Sequence, residues 1–425
     1  MSRRSDNDRL NALDAVIRRS GMSRREALKM LGIGGLGLAA APLLSRLAHA
    51  GGGPGGVALA RPDNPVTLPV HRDPIADGLE PETGGTFYVF NYPEYMDPEL
   101  MDKFGEMYDV DVQLTTFDNM DQMISRLAGG SVDADVVELL PDRLAQASAG
   151  RLLQPMNHSY VPNLSNVWDT LQDPFYDVGA QYTVPYMVYS TGITWRSDLV
   201  EEDIAALDNP WGIFWNAQDY YGRVGLLNSP REVLYLAMQY RGHFDVNTED
   251  PDIIDRAVED LKALIEICNP RVDIRQYETV PQGSRVLGQT WSGDAVLGSR
   301  WYMAEGVSPE VLRYYAGPHG KAPVQNDCWA VPANSNKPVL AHHFMNFMLD
   351  NDNAYQNFAN YLGYLPPIKA IDFDRLREEG VIPENLREAV VTPDAFDEGA
   401  QVMMTLTLDG LSSYQDAFAE FMSGV

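Results

Sequence analysis

Acidic and aromatic side chains recur together where predicted strands give way to loops or helices. Carboxylates accept hydrogen bonds from an alkylammonium group, while aromatic faces stack on methylene groups and attract a cation by about 0.5 to 2 kcal/mol each. Aromatic residues at such positions are also common in hydrophobic cores. Together with the carboxylates they favour a site for an organic cation. The residues concerned are Tyr92, Glu94, Tyr95, Glu232, Trp291, Asp294 and Asp327.

The elements that must position these side chains alternate between strand and helix. This alternation predicts a β-α-β-α-β unit with a parallel sheet, whose ligands approach the loops at the carboxyl ends of the strands. Its parts are a strand at 87–90, a helix begun by Asp97-Pro98, a strand at 110–114, a helix that carries Met120, Met123, Ile124 and Leu127 and is closed by Gly129-Gly130, and a strand at 135–140.

A second α/β unit is predicted after the apolar run at 184–195, which we interpret as a strand leaving the first unit. It comprises a strand at 224–227, a helix from Arg231, a long helix at 252–268 and a strand at 286–291. Two cores are expected because single cores stop growing near ~250 to 300 residues. The predicted fold class is therefore α/β with two lobes, each a mostly parallel sheet flanked by helices, and a cleft between them.

The N-terminal 50 residues have the order of parts of an export signal. Ser23 to Lys29 contain a twin-arginine pattern, an apolar run follows at 30–44, and Ala48-His49-Ala50 suits a signal peptidase. The alternative is an ordinary N-terminal helix. A membrane span is disfavoured because the apolar run is shorter than the ~20 residues that a spanning helix needs. We therefore predict export by the twin-arginine route, to the periplasm or the outer face of the membrane.

The predicted mature chain is strongly acidic. Residues 1–50 hold nine Lys/Arg and four Asp/Glu, so the remainder has 23 basic and 56 acidic residues and a formal charge of −33. This charge disfavours nucleic acid and anionic membranes as partners and favours cationic ligands through its long-range field. Adaptation to a salty habitat explains the same charge, so the charge alone does not identify a ligand.

Neither a metal site nor a catalytic centre is predicted. The two cysteines, Cys268 and Cys328, are too few for a disulfide scaffold, and the seven histidines form no metal-ligand spacing. Glu232, Asp294 and Asp327 are candidates for a hydrolytic acid–base pair, since carboxylate pairs hydrolyse glycosides. However, the sequence has no G-x-S-x-G elbow and no plausible Cys-His pair, which disfavours an enzyme. We expect no cofactor and no metal.

Seven short blocks in a fixed order resemble the periplasmic spermidine/putrescine-binding proteins of ABC importers. The resemblance extends over residues 84 to 425. The blocks are Asn91-Tyr92-Pro93-Glu94-Tyr95, Asp135-Val136-Val137, Val184-Pro185-Tyr186, Ser229-Pro230-Arg231-Glu232-Val233, Trp291-Ser292-Gly293-Asp294, Asp327-Cys328-Trp329-Ala330-Val331-Pro332-Ala333-Asn334 and Gly363-Tyr364.

The resemblance implies a type II periplasmic-binding-protein fold with a polyamine in the interlobe cleft. It implies a monomer that delivers the amine to the membrane subunits of an ABC permease. Carried over residue by residue, it adds Tyr364 to the seven residues named above as the expected ligand shell. The W-S-G-D block is most similar to that of putrescine binders, whose aspartate faces an ammonium group.

Several positions depart from the family's pattern. Tyr92 stands for the usual Trp and Pro93 for a Ser or Thr, and Glu138-Leu139-Leu140 stand where Pro-Ser is usual. One cleft wall is therefore either more apolar or served by Asp142. Ser229 replaces an acid and Gln325 a Trp of spermidine binders, which favours a diamine. The alternative ligand is another organic cation or an amino-acid-like solute.

These inferences give a predicted division of the chain. Residues 1–50 form the signal, 51–84 a Gly/Pro-rich linker, 85–192 and 328–367 the first lobe, and 193–327 and 368–425 the second. Hinge closure is expected where strands cross between the lobes, near 189–193 and near 324–331.

Overall fold

The structure is a computed structural model that describes residues 56–318, 320–396 and 401–425. The predicted signal at 1–50 therefore lies outside the described residues. Within them, no helix combines the length and apolar character needed to cross a membrane.

The described part of the chain contains eleven strands and twelve α-helices. The strands are β1 Thr86–Asn91, β2 Asp111–Thr116, β3 Val136–Leu139, β4 Leu153–Gln154, β5 Thr183–Arg196, β6 Val224–Leu227, β7 Arg271–Asp273, β8 Leu287–Trp291, β9 Leu312–Tyr315, β10 Pro323–Pro332 and β11 Gln401–Val402. The helices are α1 Pro98–Tyr108, α2 Met120–Ala128, α3 Pro141–Ala149, α4 Asp169–Gln172, α5 Pro230–Tyr240, α6 Pro251–Cys268, α7 Gln276–Thr279, α8 Ser292–Trp301, α9 Pro338–Met348, α10 Asn351–Gln356, α11 Phe373–Glu378 and α12 Leu408–Met422.

The strand order is β2-β1-β3-β10-β5-β8-β6-β7, with β4 and β11 against β10 and β9 against β5. β1 pairs in parallel with β2 and β3, and β6 pairs in parallel with β7 and β8. β10 is antiparallel to both β3 and β5. Two mostly parallel units are thus joined through antiparallel strands, which confirms the predicted α/β class.

Strand β5 passes from one unit to the other. Its residues 183–190 pair with β10, whereas Thr191 to Trp195 pair with β8. The change of partner lies inside the predicted hinge at 189–193. The chain crosses back between β9 and β10, because β9 pairs with residues 193–196 of β5 whereas Val324 at the start of β10 already pairs with Ser190. This crossing directly precedes the predicted second hinge at 324–331.

Local sequence signals explain the helix starts that matter for the site. The Asp97 carboxylate caps α1 by accepting a hydrogen bond from the Glu99 amide at 2.9 Å, with Pro98 in the first turn. Asp250 caps α6 in the same way, and α6 buries Ile254, Leu261 and Cys268 on its inner face. The predicted starts at Asp97-Pro98 and near 252 are confirmed.

Two hydrophobic clusters form the cores. One is built on β1, β3 and α9, and the other on β6, α5 and α6, where α12 also packs. Within the segment predicted as a linker, Val57, Val66 and Leu68 are buried in the first cluster, so residues 57–68 pack against the first lobe. The exact division between the lobes remains a prediction.

Candidate functional site

A cavity of about 300 Å³ lies between the two lobes, at the carboxyl ends of β1 and β8. Seven of the eight predicted site residues line it, and Glu232 does not. The seven are Tyr92, Glu94, Tyr95, Trp291, Asp294, Asp327 and Tyr364. Loops that follow parallel strands in both lobes thus converge on one space, as the strand–helix alternation predicted.

The first lobe contributes the loop after β1 and the carboxylate of Asp327 on β10. The Tyr95 hydroxyl donates a hydrogen bond to Asp327 Oδ2. Asp327 is 2% exposed. Burial raises the pKa of the Asp327 carboxyl, and the nearby Glu232 carboxylate adds to the rise, although hydrogen bonds from Tyr95 and Glu138 oppose it.

The second lobe contributes Trp291 at the end of β8 and Asp294 in the first turn of α8. Asp294 Oδ1 accepts a hydrogen bond from the Tyr364 hydroxyl at 2.6 Å. Its other oxygen, Oδ2, is buried and has no hydrogen-bond partner among the described residues. Burial raises the pKa of Asp294 to about 7. An unpaired buried carboxylate oxygen is costly unless a donor reaches it, so Oδ2 is well suited to receive an N–H group.

Of the six aromatic residues that line the cavity, five form a closed series of ring contacts: Tyr92, Tyr95, Tyr364, Tyr189 and Trp291. The Tyr95 and Tyr364 centroids are 4.8 Å apart, and both ring pairs made by Tyr189, with Trp291 and with Tyr364, lie at about 6 Å. Tyr92 faces Trp291 at 6.4 Å. Rings at such spacing present several faces to one small ligand, which is the arrangement that holds methylene groups and cations.

Glu232 lies behind Trp291 rather than on the main cavity wall. Its Oε1 accepts hydrogen bonds from Trp291 Nε1 at 2.8 Å and from Thr191 Oγ1 at 2.6 Å. It lines a smaller adjoining cavity of about 70 Å³, together with Asp142. Burial raises the pKa of Glu232. In the structure this carboxylate fixes the orientation of the Trp291 ring.

Glu94 lies at the mouth of the cavity and is exposed. Its backbone has φ 55°, and its Oε2 accepts a hydrogen bond from the Tyr361 hydroxyl at 2.6 Å. A left-handed φ is uncommon outside glycine and marks a tightly specified loop. Glu94 thus adds a third carboxylate at the entrance.

Sequence reasoning missed several lining residues. Asp118 follows β2 and Tyr189 lies in β5, so the strand-end rule and the crossing strand were available signals. Ile274, Arg275 and Tyr277 also line the cavity. They follow the short strand β7, which has no clear sequence pattern and was not predicted.

Comparison of the sequence with known proteins identifies the family to which this chain belongs. Residues 99–374 match the sequence profile described as bacterial extracellular solute-binding protein. The spermidine/putrescine-binding periplasmic protein of Escherichia coli K12 is 26% identical over 319 residues, which cover 74% of this chain and 85% of that protein. The putrescine/cadaverine-binding protein of Pseudomonas aeruginosa PAO1 is 25% identical over 337 residues, 76% of this chain and 88% of its own length.

Solved structures agree with this match at the level of the fold. The substrate-binding protein of a spermidine/putrescine ABC transporter from Streptococcus pneumoniae superposes with a TM-score of 0.62 at 24% identity, over 80% of this chain and 99% of that chain. The Tp0655 lipoprotein of Treponema pallidum gives 0.60 at 18% identity, with the same coverage of each chain. The two-lobed type II fold predicted from the sequence is confirmed.

Proposed function

This chain belongs to the bacterial extracellular solute-binding proteins, and we propose that the solute it captures between its lobes is a polyamine, with putrescine as the leading candidate. Members of the family bind solutes for transport, so the prediction of a binding protein rather than an enzyme is confirmed. The names of the curated relatives support the proposed ligand class.

One observation carries the proposal: two buried carboxyl groups, Asp294 and Asp327, line an aromatic cavity, and the cavity-lining cation Arg275 pairs with Glu278 at 2.6 Å rather than with either of them. No cationic residue is among the groups that shift either pKa. Isolated buried carboxylates are unfavourable, and an alkylammonium group offsets that cost through charge-assisted hydrogen bonds. The five rings would pack on the methylene chain between the two ends.

A diamine suits this arrangement because each lobe presents one buried acid, so each ammonium end would have its own acceptor. Glu94 at the entrance provides the place for a further amine of a spermidine-like ligand. Another organic cation or an amino-acid-like solute is the second candidate, because the altered wall at 138–140 differs from the usual pattern.

We further propose that the protein is a monomer that delivers its ligand to the membrane subunits of an ABC importer. The predicted signal at 1–50 supports export by the twin-arginine route into the periplasm, with 51–84 as the linker. For the lobes we propose the division predicted from the sequence, with one change: the return to the first lobe is moved from 328 to Pro323, where β10 begins.

The test is calorimetric titration of the purified protein with putrescine, cadaverine, spermidine and spermine at low and high salt. A neutral diol of matched length is the control. Saturable one-to-one binding of one amine, with no heat from the diol, is the expected result. Folded protein that binds none of the four amines would reject the polyamine ligand and leave the family assignment intact.

A further inference from the structure

A buried acid that the proposed ligand shell does not include lies directly behind Asp327. Glu138 is on β3, opposite Trp329 of β10, with 0% of its surface exposed. Asp327 is two residues from Trp329 on the same strand, so the side chains of Asp327 and Glu138 lie on the same face of the sheet. The lobe-1 end of the cavity thus has two carboxyl groups, one facing the cavity and one beneath it.

Neither Glu138 oxygen meets an N–H or O–H donor among the described residues. The group within hydrogen-bonding reach is the Asp327 carboxyl itself. Two carboxylates cannot both be ionised in such a place without a cation, so one proton must lie between them.

The groups that face Glu138 decide which acid holds that proton. None of the groups that shift its pKa is cationic: burial raises it first, then Asp327 and Asp142. The Asp142 charge is already paired with Arg143, at 2.9 Å. Asp327, in contrast, also accepts a hydrogen bond from the Tyr95 hydroxyl, which favours its ionised form. The titratable groups that interact with Glu138 are Tyr92 after β1, Asp142 on α3, Tyr186 and Tyr189 on β5, and Asp327 and Cys328 on β10.

We propose that Glu138 is a positioning residue: it stays a neutral carboxylic acid and donates its proton to Asp327, which keeps the cavity-facing carboxylate charged and correctly oriented. The proposal rests on the amine-binding function proposed above. Glu138 would not touch the ligand. It would set the charge of the group that does.

The test compares two replacements of similar length. The amide of Glu138→Gln still donates a hydrogen bond to Asp327, whereas Glu138→Met donates none. Putrescine titrations across pH should show Glu138→Gln close to wild type. Glu138→Met should bind about tenfold more weakly near neutral pH, the worth of a hydrogen bond to a charged group. The pH at which the Glu138→Met variant gains affinity for putrescine should be higher than in wild type by about one unit.

The exposed Glu106→Gln variant on α1 is the control for a change of charge alone. Thermal melting confirms that each variant folds. A Glu138→Met curve that coincides with wild type would overturn the proposal, because no donor would then be needed. Glu138→Gln as impaired as Glu138→Met would also overturn it, since a negative charge at this position would then be what binding requires.

A measurement without ligand separates this proposal from the polyamine assignment. Infrared difference spectra of wild type minus Glu138→Gln, taken at about pH 8 where Asp294 is mostly ionised, should contain the carbonyl band of a protonated carboxylic acid. Absence of that band refutes the neutral Glu138. If wild type binds no amine yet shows the band, the polyamine function fails while the proton assignment stands.

Discussion

At the scale of single residues, the site is organised by two buried acids on which no cationic group of the described residues acts. Asp294 and Asp327 are 3% and 2% exposed, and their hydrogen-bond donors include the hydroxyls of Tyr364 and Tyr95. A phenol hydroxyl satisfies one oxygen but supplies no positive charge. A bound ammonium group would supply the positive charge that these carboxylates lack.

Replacing either acid by its amide tests this role directly. Asp294→Asn or Asp327→Asn should each weaken putrescine binding by more than about tenfold, because loss of a charged acceptor costs roughly 1.5 to 3 kcal/mol. Calorimetry measures the effect, and Asp102→Asn, an exposed change on α1, is the matched control. Unchanged affinity in both site variants would remove this model of the site.

The raised pKa of Asp294 predicts that binding depends on pH. Below a pKa of about 7 the carboxyl group holds a proton and is a poor ammonium acceptor, whereas an alkylammonium keeps its charge throughout this range. Affinity for putrescine should therefore fall as the pH is lowered from about 8 to about 6, by up to tenfold per unit for each proton taken up. In the Asp294→Asn variant, the part of this pH dependence that is due to the Asp294 carboxyl group should vanish. A flat wild-type profile would contradict the prediction.

At the scale of elements, the junction between β8 and α8 carries the second-lobe half of the site. Trp291 ends the strand and Asp294 lies in the first turn of the helix, so the two side chains are held by regular structure rather than by a free loop. Gly293 lies between them. The Tyr364 ring packs on its backbone, and a Cβ at this position would be 2.2 Å from two ring carbons.

Gly293→Ala should therefore displace Tyr364 and break its hydrogen bond to Asp294. The expected result is about tenfold weaker putrescine binding with the fold retained. Gly212→Ala is the matched control, since its nearest neighbour would be an ordinary contact at 3.7 Å. Titration and thermal melting of both variants make the comparison. If the two variants bound putrescine equally well, the Tyr364 ring would be able to shift without weakening ligand binding.

At the scale of the whole molecule, the two lobes are joined by few strands and touch across the cleft through polar groups. Arg231 of the second lobe lies 4.0 Å from Asp142 of the first, and Gln415 donates to Asp121 at 3.1 Å. β5 changes partner between Ser190 and Thr191. Small backbone rotations at such a crossing can move one lobe against the other.

Putrescine should therefore make the molecule more compact by drawing the lobes together around the ligand. Small-angle X-ray scattering should record a smaller radius of gyration with saturating putrescine than without it. Asp294→Asn at the same putrescine concentration, where it is largely unliganded, should keep the larger value. Equal radii for liganded and unliganded wild type would argue against closure and in favour of a preformed site.

The sequence by itself determined the class of the fold and half of the residues that line the cleft. Helix caps such as Asp97, the apolar periodicity of α6 and the strand-end positions of Tyr92, Trp291 and Asp294 are local signals, so they could be identified without coordinates. Only the tertiary structure placed Glu232 behind Trp291 and Glu138 behind Asp327. Which side of a ring a carboxylate occupies, and which acid shares its proton, depends on packing between strands that are distant in sequence. No local pattern encodes that arrangement, because register and strand order are set by the assembled sheet.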